Sequence, residues 1–284
     1  MTTEPINLRQ GPPRELLFHR PFSLGASLRR LWQAREIVLS LAERQIRARY
    51  AQALLGVAWA VITPFVLLVA FTLVFDRVAN VDTNGVPYAL FSFIALVPWT
   101  FFASSVNVGA LSIVGNLSIV NKVPTPREVF PLSGVVMSAF DALFSIAALA
   151  FLFVVFTFAP QPTTVWVPVI MVVQLLFTTG AAILVSMLTV YFRDLRTAMP
   201  LALQFGLFVT PVAFAFDVIP KAWRGVYSFL NPLGPVIDSY RRTVLYGEAP
   251  QWQYLGLGAL GALTIFVGGY TLFKRFESGI SDIA

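Results

Sequence analysis

FPLSGVVMSAFDALFSIAALAFLFVVFTF, residues 130–158, runs for twenty-nine residues with a single charge, Asp141. Coiled as a helix at 1.5 Å per residue it reaches about 43 Å, more than the ~30 Å of hydrocarbon in a bilayer. The stretch has no polar face, so a soluble domain would have to bury it on every side. Similar runs recur at 54–75, at 88–109 within an uncharged stretch from 83 to 121, at 165–192, at 199–216 around Pro211, and at 254–273. Only 12% of the 284 residues are charged and the mean hydropathy is +0.75. A soluble domain carries about 25% charged residues. The chain therefore reads as an all-α membrane protein with six spans, helical because a backbone in hydrocarbon must satisfy its own hydrogen bonds.

The residues between the runs set the orientation. With the N-terminus inside, the inner segments hold 15 of the 20 Lys and Arg, nine of them before residue 54. Excess Lys and Arg marks the cytoplasmic side, so both termini are expected there. The same bias accounts for the net charge of +6 without nucleic acid. No cleavable signal core precedes the first span, which serves as its own insertion signal. There is no cysteine and one histidine, His19 in the polar N-terminal region. Disulfides, thiolate metal sites, histidine metal clusters and Ser-His catalysis inside the membrane are thereby excluded.

Residues 1–22, with four prolines, read as a disordered cytoplasmic tail. Residues 23–53 read as an amphipathic interfacial helix starting at Ser23, with Leu24, Leu28, Leu31, Val38 and Leu41 on one face and Arg29, Arg30, Arg44 and Arg47 elsewhere. Anionic lipid attracts each such cation by about 1 kcal/mol. Arg35 and Arg49 fall on the apolar face and imply breaks or snorkelling there. On the outer side, 217–253 is too apolar for a free loop. It reads either as two short helices dipping into the leaflet, broken by Pro232 and Pro235 with Gly234 turning, or as an amphipathic loop lying flat. On the inner side, SIVNKVPTPREVFP (118–131) is either a short rigid helix delimited by Pro124, Pro126 and Pro131, suited to docking a partner, or a plain loop. FRDLR (192–196) is a second, smaller inner contact.

Chemical motifs are sparse. GLGALG at 256–261 matches a dinucleotide fingerprint but has no strand before it, so close helix packing through small residues is the better reading. There is no Gly-Lys dipeptide and hence no P-loop. NLS at 116–118 lies on the side where glycosylation does not occur. Asp141, alone at membrane depth, is either a proton relay or a carboxylate held by Ser138, Ser145 or another helix. The absence of a partner acid, His or Lys argues against a proton-coupled transporter. Aromatics crowd three spans: Trp59 and Phe65 in the first, Phe91, Phe93, Trp99, Phe101 and Phe102 in the second, Phe205, Phe208, Phe214 and Phe216 in the fifth. Sugar C–H faces stack on such rings, and lipid contact or core packing uses them equally well.

Several segments together resemble one family. LAERQIRARYAQALLGVAWAVITPFVLLVAFTLVF (41–75), NKVPTPREVFP (121–131), YFRDLR (191–196), NPLGPVIDSYRR (231–242) and FKRFESGISDIA (273–284) are similar to segments of ABC-2-type permeases that export lipid-linked polysaccharides such as O-antigen, teichoic acid and capsule. The similarity covers about 36–284. The resemblance implies an ABC-2-type transmembrane domain over 54–284 in the bacterial inner membrane, working as a homodimer with two copies of a separate ATP-binding subunit. This chain would then hold no cofactor, ATP and Mg belonging to the partner, and would not itself be an enzyme. The resemblance further implies a coupling helix at about 116–128, with Asn121, Lys122, Arg127 and Glu128 facing the ATPase. It implies that the amphipathic helix at about 28–50 borders that subunit, and that the segment before span six forms re-entrant outer helices.

On that basis Arg44, Arg47 and Arg49 attract the lipid diphosphate, and Trp59, Phe65, Phe205 and Phe208 line the channel. Asn231, Pro232, Asp238, Tyr240 and Arg241 form the outer gate. The substrate is a polyprenyl-diphosphate-linked polysaccharide. The alternatives are a permease for a small lipid or drug, and a membrane acyl- or glycosyltransferase using Asp217, Asp238 and Glu248.

Overall fold

The computed structural model describes residues 24–51, 58–76, 83, 85–120 and 125–277. Every regular element among them is helical. Two short helices, α1 (Leu24–Gln33) and α2 (Arg35–Tyr50), lead into α3 (Ala58–Phe71), which ends in a π turn over Thr72–Asp76. Then come α4 (Tyr88–Ser112), α5 (Leu117–Val120), α6 (Val129–Val155), α7 (Val167–Tyr191) and α8 (Leu195–Val209). The chain closes with α9 (Lys221–Leu230), α10 (Leu233–Arg241) and α11 (Trp252–Phe276).

Among the described residues α4, α6, α7 and α11 are long and apolar enough to cross a membrane, while α3 and α8 are shorter. The first residues of the expected span 54–75 lie outside the described residues. The expected span 199–216 has a different cause for its shortness. Pro211 pushes Thr210 into an extended conformation, ψ 141°, and the helix stops at Val209.

α4 is the central helix. Residues Leu90 to Trp99 are buried without interruption, as the lack of any polar face in the sequence requires. α6 and α7 flank it, α11 packs on α7, and α3, α8 and α10 complete its surroundings. Lipid tails are as apolar as leucine, so close packing of small residues has to hold such helices together. Gly180 of α7 lies against the backbone of Phe266 in α11, where a Cβ would come within 2.6 Å of its Cα. Gly261 of α11 sits against the carbonyl of Phe229 in α9, and Gly258 against Pro235 of α10. Two glycines of the GLGALG stretch thus seat the α9–α10 hairpin, while Gly256 faces open space.

Two helix-breaking expectations change. The turn between α9 and α10 falls at Asn231–Pro232, and Pro235 sits inside the first turn of α10, where its missing N–H costs nothing. Gly234 is helical, and its bare Cα makes room for the Tyr227 ring. Pro131 likewise lies in the first turn of α6, so the short inner helix is α5, earlier than the prolines suggested.

The basic end of the helix bundle gathers α1, α2, α5, the start of α6 and the ends of α7 and α11. Ala34, Val38, Ile113, Phe130, Val190 and Phe273 share one core there. The α1–α2 break falls at Ala34, beside Arg35, whose guanidinium lies 5.3 Å from the Trp32 ring centroid. α2 lies along α6, so its last turn comes beside the middle of that helix.

Gly180→Val is expected to push α7 from α11 and lower stability by about 1–3 kcal/mol, the usual range for overpacking. Gly256→Ala should leave it unchanged. Thermal unfolding of the two purified variants in detergent checks the contrast.

Candidate functional site

Three polar constellations stand out against the apolar helices, one at each end of the bundle and one between them. The first is built on Arg241, whose side chain is fully buried. Its Nε donates to the Phe91 carbonyl at 3.0 Å, and Nη1 donates to Pro211 and Phe214 carbonyls at 2.8 Å each. Nη2 donates to the Val212 carbonyl at 2.5 Å. The guanidinium also stacks 3.6 Å from the Phe91 ring centroid. The non-helical stretch after Val209 thus has its carbonyls satisfied by one side chain from α10. Irregular backbone among apolar helices is tolerated where protein groups pair it.

The rest of the α9–α10 hairpin is fastened around this point. Asn231 Nδ2 donates to Thr210 Oγ1 at 2.9 Å and to the Tyr227 hydroxyl at 3.0 Å, and that hydroxyl donates to the Val209 carbonyl. Pro232 is buried against α11. Tyr240 donates to Gln174 Oε1 of α7 at 2.9 Å, and Gln174 Nε2 donates to the Pro98 carbonyl of α4. Asp238 faces Arg242 at 3.9 Å. Burial lifts its carboxyl to about 6, against the pull of Arg242 and Arg241. The five residues expected at the outer mouth, Asn231, Pro232, Asp238, Tyr240 and Arg241, therefore all belong to one hairpin and its anchorage.

The second constellation lies at the basic end. Glu128 is fully buried, accepting from the Tyr270 hydroxyl at 3.0 Å and from Lys274 Nζ at 2.7 Å. Lys274 also reaches Glu277 at 2.9 Å, and the Arg127 guanidinium donates to the Glu277 carbonyl. Glu128 thus ties the segment before α6 to the end of α11 and offers no surface of its own. Arg127 is half-buried. Asn121 and Lys122 lie outside the described residues. Lys274 entered the sequence reading only as one of the inner charges, and Tyr270 not at all. The signal for them was a charge at each of two span ends on the same side of the membrane.

The third constellation is a cavity of about 560 Å³ between α3, α4, α6 and α8, with the end of α2 at its mouth. Trp59 and Thr63 come from α3, Trp99 and Asn107 from α4, Ser138 and Asp141 from α6. The wall mixes indole faces with hydroxyl, amide and carboxylate groups. Ser138 is bonded to Ser104 at 2.9 Å. Asp141 is held by another helix: Arg49 Nη1 and the Tyr50 hydroxyl each donate to it at 2.5 Å. Of the other expected cations, Arg44 is exposed and Arg47 pairs with Glu43 one turn away on the surface.

The four aromatic residues expected in the channel divide. Trp59 lines the cavity, whereas Phe65 packs on Phe93 with ring centroids 5.1 Å apart. Phe205 and Phe208 point outward from α8, 71% and 56% exposed in the single chain. A second cavity, of about 920 Å³, lies between α4, α6, α7 and α10. Its wall is almost wholly apolar, with Tyr240 and Gln174 the main polar groups. Such a wall suits a hydrocarbon chain and not a sugar.

A multi-pass helical membrane protein with a polar, tryptophan-lined cavity between its helices has the build of a transport protein. The particular family follows from comparison: the ABC-2 type transporter model matches residues 36–245, and the chain belongs to that family. The match runs from α2 to the turn after α10 and so takes in all three constellations except the part on α11. The O-antigen export system permease protein RfbA of Myxococcus xanthus is 30% identical over 90% of this chain and 98% of its own length. The protein of the same name from Klebsiella pneumoniae is 28% identical over 87% of this chain and 95% of its own. The polysialic acid transport protein KpsM of Escherichia coli is 24% identical over 84% and 92% respectively.

Arg241→Lys is expected to destabilise the protein by about 3 kcal/mol. A single ammonium cannot span four carbonyls, and each buried acceptor left unpaired costs about 1–3 kcal/mol. Loss of thermal stability in detergent checks this. The raised Asp238 value also has a sign. Its folded-state carboxyl titrates above the ordinary 3.8, so the stability it contributes is complete below about pH 4 and lost as pH rises to about 6. Asp238→Asn should flatten the melting temperature across pH 4–6.5.

Proposed function

We propose that this chain is the membrane-spanning subunit of an ABC transporter that exports a polyprenyl-diphosphate-linked polysaccharide, driven by a separate ATP-binding subunit. Support comes from the names of its relatives, two O-antigen export permeases and a polysialic acid transport protein. The observation that carries the reading is the meeting of the cationic end of α2 with a groove lined by Trp59, Trp99 and hydroxyl groups. The first suits a diphosphate, the second a run of sugars of any order.

In this reading the chain crosses the membrane six times with both termini in the cytoplasm. The basic end, carrying α1, α2 and α5, faces the ATPase. Asn121, Lys122 and Arg127 are presented to that partner, and Glu128 acts indirectly by fixing the loop to α11. The lipid-linked glycan approaches from the inner leaflet, where Arg44, Arg47 and Arg49 gather its diphosphate. The α9–α10 hairpin is a re-entrant pair closing the opposite mouth. The outward aromatic side of α8 and the neighbouring face of α3, with Trp59, Val66 and Val69 exposed, meet a second copy of the chain across the channel. ATP and Mg stay on the partner, which does the hydrolysis. ATP-driven closure of the partners then shifts the coupling loop and opens the groove.

The test is ATP hydrolysis and export by the complex with its ATP-binding subunit in lipid. Polyprenyl-linked glycan should stimulate hydrolysis, and Arg47→Gln with Arg49→Gln should abolish export while the protein still inserts. Stimulation by a small lipid or drug in place of the glycan would reassign the substrate, and full export by the double variant would remove the arginines from it.

A further inference from the structure

The cluster of Asp141, Arg49 and Tyr50 is not explained by a groove that merely carries sugars. Asp141 is the thirteenth residue of the twenty-seven in α6, about 18 Å along the helix from its start. A carboxylate at that depth is expensive unless paired, and its partners come from the last turn of α2. The pair is lopsided. The Arg49 side chain is 39% exposed and meets Asp141 through a single nitrogen, while Asp141 is 16% exposed. Both line the cavity. The cation is thus the more reachable of the two for an incoming ligand.

We propose that Asp141 is a resident competitor for the Arg49 guanidinium, which a phosphate-bearing lipid headgroup takes by charge exchange while Tyr50 keeps the end of α2 on Asp141. The inference rests on the diphosphate reading above and goes further, since it names the group that the substrate's anion displaces. A diphosphate offers the planar guanidinium a bidentate partner of higher charge, and such pairs are stronger than a one-nitrogen contact to a carboxylate. Removing one member of a partly buried pair leaves the other charge unpaired. Here Tyr50 limits that cost. Its phenol is pushed up to about 12, by burial first and by Asp141 second, so it stays protonated and keeps donating to Asp141 after Arg49 leaves.

Tyr50, in the last turn of α2, and Gln45, one turn nearer the basic end and donating through Nε2 to Ser133 Oγ at 3.0 Å, keep α2 on α6 through the exchange. The anion therefore changes the partner of Arg49 and leaves the helix in place.

The discriminating feature is the sign of the effect at Asp141. For a merely structural ion pair, losing either partner harms the protein in the same direction. For a competitor, Asp141→Asn frees the binding group and Arg49→Gln removes it, so the two act oppositely. The experiment measures binding of polyprenyl diphosphate, of the uncharged polyprenol and of inorganic pyrophosphate to the full chain in lipid nanodiscs. Asp141→Asn should bind the diphosphate lipid about tenfold tighter and Arg49→Gln about tenfold weaker, with the double variant resembling Arg49→Gln. Polyprenol binding should not move. Tyr50→Phe should weaken diphosphate binding, because the released carboxylate then has no donor, and this holds even if Asp141→Asn fails to fold.

The chain has no cysteine, so spin labels at Ala48→Cys and Leu143→Cys, both exposed positions, report whether α2 stays on α6. Their separation should stay fixed when polyprenyl diphosphate is added. Weaker binding by Asp141→Asn, or a lengthened label distance, overturns the exchange while leaving the diphosphate reading intact. A wild-type chain that binds polyprenol as well as its diphosphate overturns both. Pyrophosphate binding as tightly as the lipid supports the exchange and overturns the headgroup as its source.

Discussion

One guanidinium holds the least regular part of this membrane protein in place. The chain has to leave the helical state after Val209, because Pro211 cannot continue it, and the carbonyls so exposed have no water to turn to. Arg241 supplies four hydrogen bonds to that stretch and to α4 from a single planar group. Full burial pulls its acidity constant down to about 10, and it remains a cation with its charge spread over carbonyl dipoles and the Phe91 ring. The hairpin of α9 and α10 can sit among apolar helices only because this anchor is satisfied on every described side.

The opposite end solves the same problem with an ion pair. Glu128 would be costly to bury alone, and Tyr270 and Lys274 of α11 make it acceptable. Its effect is to join the first turn of α6 to the last turn of α11, elements far apart in sequence. Any displacement of the segment before α6 is thereby carried to α11 as well. The polar cavity lies between these anchors, and on its wall a half-exposed arginine meets a carboxylate.

Relatives named for O-antigen export and polysialic acid transport lie close to full length on this chain. The groove fits their chemistry in a specific sense. Indole faces and hydroxyl groups recognise the common features of sugars without committing to linkage or order. The large apolar cavity beside α10 lies against Tyr240 and Gln174, which anchor the hairpin.

The sequence alone determined the class, because uncharged runs of membrane length leave no other solvent for the chain. It also determined the helical state, which follows from local composition and backbone rules, and it offered the helix pair before the last span and a break beside Arg35 as one of two readings each. Helix ends were less legible: Pro235 and Pro131 look like breakers in a sequence but are harmless in a first turn, and only the position of the helix start decides which. The partners of charged residues were not legible at all. Nothing near Asp141 in sequence announces Arg49 and Tyr50, some ninety residues away, and Glu128 read as a surface charge until α11 was seen to cover it. Burial and pairing of a charge depend on which helices become neighbours, and the tertiary packing alone settles that.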